Sequence, residues 1–102
     1  SSSRVMDAKN IISEQVRAAW QQLQTSRENA QFLRNQANIA SEFLELARKE
    51  RRLGRRSLID VLAGETALIN ASSDAASAES NISVAAFTLL GVMGTLNLDA
   101  IQ

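Results

Sequence analysis

The chain has no cysteine, no proline, no histidine and no tyrosine, and only four glycines and four aromatic residues in 102. Without cysteine there are no disulfides and no thiolate metal sites. With histidine absent as well, the usual ligands of a structural zinc site are missing. The same absence removes the side chain most often used as a general base. So few rings argue against a large aromatic core. A proline-free, glycine-poor sequence rich in Ala, Leu, Glu, Gln and Arg instead favours helix, and its length suits one modest domain. No run of about 18 apolar residues occurs, so no helix is expected to span a bilayer. The most apolar stretch, Val84 to Met93, is short and carries Thr88 and Gly91. The start of the chain shows no signal-peptide pattern.

Net charge is zero, but its distribution is uneven. Residues 1–56 hold all eleven basic groups and six acidic ones, and residues 57–102 hold five acidic groups and no basic one. Two antiparallel halves of opposite sign attract, although each exposed pair contributes little.

From about Arg4 to Leu53 the apolar positions repeat every seven residues. One column is Ile12, Ala19, Ser26, Leu33, Ala40, Ala47, and a second is Ile11, Ala18, Thr25, Phe32, Ile39, Leu46, Leu53. A third is Val16, Leu23, Ala30, Ala37, Leu44. Together they cover about 140° of a helix, wider than a two-stranded seam needs. The opposite face, including Gln24, Gln31, Asn38, Gln21 and Asn35, is rich in amides. It reads either as a solvated surface or as the wall of a wet channel.

The periodicity stops at Leu53-Gly54-Arg55-Arg56 and restarts at Ser57. Gly54 suits the left-handed position that ends a helix. Ser57 suits the N-cap of the next helix, with Asp60 three residues on in the manner of a capping box. The second arm, 57 to about 93, carries adjacent apolar pairs: Val61/Leu62, Leu68/Ile69, Ala75/Ala76, Ile82/Ser83 and Leu89/Leu90. Gly91 and Gly94 are expected to end it, leaving residues 94–102 as a tail. The predicted fold is all-α: one long antiparallel hairpin, helices at about 4–53 and 57–93 with the turn at 53–56. A turn centred between Gly54 and Arg55 predicts the rungs Ala47 with Leu62, Ala40 with Ile69, Leu33 with Ala76, Ser26 with Ser83 and Ala19 with Leu90. Large then meets small at four of five levels. A rival arrangement breaks the arms near Thr25-Ser26 and Ser72-Ser73-Asp74 into four shorter helices, but neither site has Gly or Pro. Two helices alone leave much apolar surface exposed, so self-association or embedding in a larger helical wall is expected.

No catalytic constellation is present. Ser57 has no activating partner, and Asp60 and Glu65 lie about 140° apart on a helix. The chain is expected not to be an enzyme and to need no metal or cofactor. Six of the eleven cations crowd around the turn: Arg48, Lys49, Arg51, Arg52, Arg55 and Arg56. They suit a helix C-terminus, a docking tip for a protein partner, or a charged constriction where several copies meet. Nucleic-acid binding is disfavoured by the acidic second arm and the lack of neighbouring aromatics.

Leu53-Gly54-Arg55-Arg56-Ser57-Leu58-Ile59-Asp60-Val61-Leu62, followed by Glu65, Leu68, Asn70 and Ala71, resembles the TolC family of outer-membrane efflux and secretion channels. The resemblance runs over Arg51 to Ser80 and, less tightly, Val16 to Ala100. It includes Leu89-Leu90 and Met93-Gly94-Thr95-Leu96 near the close of the second arm. The double-Arg turn looks most like members serving type I secretion.

The resemblance implies a periplasmic tunnel hairpin of a homotrimeric export channel, working with a periplasmic adaptor (membrane fusion) protein and an inner-membrane transporter. It implies that the chain is the last tunnel hairpin of a second internal repeat, one part of a larger protein with the barrel strands and the other hairpin elsewhere. Leu53, Gly54, Arg55, Arg56 and Ser57 then fall on the adaptor-docking tip, and Arg51, Arg56 and Asp60 at the pore constriction. Two positions depart from the family: Ala63 stands where some members carry a second lumen acid, and Arg51 where some carry an aromatic of the closing network. The alternative from another class is a structural coiled-coil adaptor hairpin with no lumen.

Overall fold

The computed structural model describes residues 2–101, and among them the elements are two helices and no strand. Helix α1 runs Ser2–Arg52 and α2 runs Leu58–Ile101. They form one antiparallel hairpin, a rod of 79 × 15 × 14 Å. Both arms pass unbroken through Thr25-Ser26 and Ser72-Ser73-Asp74, which removes the four-helix arrangement.

The chain reverses where expected. Gly54 has a φ of 74° and is the one residue described with positive φ. Its N–H donates to Arg51 O (2.9 Å) and the Arg55 N–H to Glu50 O (2.8 Å), the paired bonds of a Schellman ending. On the far side Ser57 Oγ accepts from the Asp60 N–H at 3.2 Å, the N-cap bond.

The second arm does not end at Gly91 or Gly94. A glycine stops a helix when it turns left-handed, and here only Gly54 does so. A Cβ on Gly91 or Gly94 would meet nothing within 4 Å, so both lie open on the surface of a continuing helix. Residues 94–101 are therefore helix rather than tail; Gln102, also assigned to the tail, lies outside the described residues.

Two columns of α1 turn inward. Ala19, Ser26 and Ala47 are buried from one, and Leu23, Ala30 and Leu44 from the other. In α2 the inward columns are Val61, Leu68, Ala75, Ile82, Leu89 and Gly64, Ala71, Ala78, Ala85, Val92. Spacings alternate three and four on both helices, the period of a two-stranded seam.

The expected rungs require correction. Leu62, Ile69 and Leu90 point to solvent, with Ile69 68% exposed. The residue before each one takes the inward place. Ala47 joins Val61 and Leu44 in one buried cluster, with Leu68 against it. Ala19 and Leu23 join Leu89 and Ala85 in another. Bulky residues still meet small ones, but the small ones include a column of glycine and alanine. That column lets the backbones approach: Leu44 Cδ1 would stand 3.3 Å from a Cβ on Gly64.

One further expectation changes. Although no unbroken apolar run exists, the stretch Leu58–Leu98 is by length and average composition long and apolar enough to cross a membrane. Only 11% of its most apolar window is buried in the hairpin. The property reflects the second outward apolar column and the alanines of the seam. The partner helix α1 is charged and amide-rich, which disfavours moving the pair together into hydrocarbon.

Candidate functional site: the tip and the two flanks

The hairpin has two unlike flanks. On one, Arg48 Nη2 pairs with Glu65 Oε1 at 3.1 Å and Arg34 pairs with Glu79. These contacts realise the opposite charge of the two arms. All four side chains are about half exposed, so each pair contributes at most about 1 kcal/mol. The exposed α2 column of Leu62 and Ile69 runs beside Glu65, one turn away on either side.

On the opposite flank a shallow notch opens between Gln22, Thr25 and Asn29 of α1 and Asn81 and Thr88 of α2. Thr25 belongs to the exposed α1 column, whose large members Ile11, Phe32, Ile39, Leu46 and Leu53 are all more than half exposed. The two unpartnered apolar stripes thus lie on opposite sides of the rod, one carried by each helix. In α1 the wide apolar arc read from the sequence is one seam plus one stripe; in α2 the column of Leu62, Ile69 and Leu90 is joined by Val84 and Phe87, exposed outside both it and the seam.

At the tip the sequence-derived residues separate into two groups. Arg56 is held within its own hairpin. Its Nε and Nη2 each lie 2.8 Å from Glu50 Oε2. The guanidinium sits 5.3 Å from the Phe43 ring centroid, a cation–π distance. Asp60 Oδ2 is 4.0 Å from Nη1, the outer limit of an ion pair. The structure therefore brings Arg56 and Asp60 together and leaves Arg51 apart from them.

Ser57 is occupied as a cap and Gly54 as the turn. Leu53 is 66% exposed, and Arg51 and Arg55 are exposed. Phe43 and Glu50 also belong to the tip, beyond the residues expected from the sequence. The available signal was Glu50 itself, a single acid inside the basic cluster and within reach of the turn; Phe43 breaks an otherwise amide-rich column of Gln22, Asn29 and Gln36.

Among the described residues no group of three or more carboxylates could hold a metal ion. The amide face of α1 carries local bonds such as Gln31 to Asn35 at 3.1 Å and Arg17 to Glu14 at 2.9 Å, as a solvated surface does. In comparisons with known proteins, no family model, no curated protein and no solved structure matches the chain.

Proposed function

We propose that this hairpin is one stave of a periplasmic tunnel wall in a trimeric outer-membrane export channel, for efflux or type I secretion. Its tip would dock a periplasmic adaptor that works with an inner-membrane transporter. The observation that carries the reading is the placement of the two apolar stripes. A rod with one such stripe needs one neighbour; a rod with stripes on opposite flanks needs a neighbour on each side, as every member of a closed wall has. The tip sequence Leu53 to Leu62 supports the same assignment through its likeness to the channel family.

In this reading the duct conducts passively, and gating is a realignment of helices at the tip, with Arg56 and Asp60 nearest the constriction. Export proceeds without bond making or breaking by this chain. The test is a cysteine placed at Arg55 in the full-length protein, cross-linked in cells that express it with its adaptor. A specific adduct between channel and adaptor is expected. A cysteine that gives no adduct with the adaptor overturns docking at the tip.

A further inference from the structure

We infer that the tip receives an acidic protein surface, one whose carboxylates surround an apolar residue; this deepens the docking reading above and rests on it. Of the six cations near the turn, Arg48 is taken by Glu65 and Arg56 by Glu50. Lys49, Arg51, Arg52 and Arg55 form no ion pair among the described residues, and all four are exposed. The helix dipole accounts for cations in the last turn of α1, but Arg55 lies beyond the end of that helix. Four uncompensated positive charges within one or two turns repel one another, and a partner's carboxylates relieve that repulsion. The apolar component is beside them: Leu53, Leu58 and Ile59 are 66%, 50% and 76% exposed.

Two observations favour a protein over an anionic bilayer. Lys49 and Arg52 follow the buried Ala47 by about 200° and 140° of helix rotation, so they project from the outer side of α1. Arg51 and Arg55 sit at its end. The charge thus wraps round an edge, which suits a partner that overlaps the last turn better than a plane met end-on. The tip also presents none of the exposed Trp or Tyr that membrane interfaces favour; the nearest ring, Phe43, is engaged by Arg56. Arg56 has no part in this contact, because its charge is already matched.

The test measures binding of the full-length protein to two synthetic helical-hairpin peptides and to phosphatidylglycerol vesicles. One peptide has glutamates around a leucine at its turn; the other has lysines in their place. The glutamate peptide should bind at least about tenfold tighter than the lysine peptide. Its affinity should fall steeply with added salt, as screening of exposed charges requires. Arg52→Glu with Arg55→Glu, which leaves as many acids as cations among the four positions, should abolish the preference, and Leu53→Ser should weaken binding while keeping it. In the parent, equal binding of both peptides, binding of neither or stronger binding to the vesicles, or an unchanged preference in the double variant, overturns the inference. If the Arg55 cysteine still cross-links to the adaptor in that event, tip docking survives and only the acidic partner falls; loss of the cross-link removes docking itself.

Discussion

Leu44 on α1 lies directly against Gly64 on α2, its Cδ1 3.3 Å from the place a β-carbon would occupy. This contact sets what Gly64 tolerates. Gly64→Ala gains about 1 kcal/mol of helix propensity, and the obstructing atom is the end of a flexible side chain. Stability should therefore stay within about 1 kcal/mol of the parent, on the stabilised side. Gly64→Leu overfills the seam and should cost about 1–3 kcal/mol. Denaturant titration of both variants checks the pair; a strongly destabilised alanine variant would mean the backbones are closer than described.

The other glycines should respond in opposite directions. Gly54 holds a left-handed conformation, so Gly54→Ala should cost about 1–2 kcal/mol, with Gly54→Asn milder. Gly91→Ala and Gly94→Ala, in open helical positions, should each stabilise by up to about 1 kcal/mol. Thermal unfolding of the three alanine variants reads this directly. Loss of stability at Gly94 would restore the expectation that the second arm stops there.

Arg56 and Glu50 should be coupled. Their side chains are 27% and 29% exposed, against 52% and 40% for Arg48 and Glu65. A double-mutant cycle with Arg56→Gln and Glu50→Gln should give an interaction energy of about 1 kcal/mol or more, and the cycle on Arg48 and Glu65 a smaller one. A coupling near zero between Arg56 and Glu50 would remove Arg56 from the tip's own structure and leave it free for a contact between protomers.

Seam and stripe should separate cleanly on substitution. Leu23 is 4% exposed and Phe32 59%. Leu23→Ala should destabilise the hairpin by at least about 2 kcal/mol, while Phe32→Ser should leave the monomer nearly unchanged and reduce association. Urea titration combined with sedimentation distinguishes the two effects.

Much of this fold is legible in the sequence because strong local signals agree. Gly54 and Ser57 mark the reversal, and unbroken heptads without proline mark the arms. The columns of α1 are also legible as a set. Which column of α2 faces inward is not, because hydrophobic size misleads. Leu62, Ile69 and Leu90 are bulky and draw the assignment, yet Gly64, Ala71, Ala78 and Ala85 occupy the seam, since small residues let the two backbones close. A shift of one position follows, and it moves the bulky column to the surface. At the tip, the capping roles of Gly54 and Ser57 are readable from local spacing. The capture of Arg56 by Glu50 over Phe43 is not, because it depends on how the turn folds back on α1.

A wall of such hairpins requires the stripes of neighbouring copies to meet. Two variants of the full-length protein test this: Phe32→Ser with Ile39→Ser, which removes the α1 stripe, and Leu62→Ser with Ile69→Ser, which removes the α2 stripe. Sedimentation of each alone and of an equimolar mixture is the measurement. The parent should associate side by side, each variant alone should not, and the mixture should form a one-to-one complex through the stripe each retains. A monomeric parent, or variants that associate with themselves as readily as the parent, would contradict such a wall.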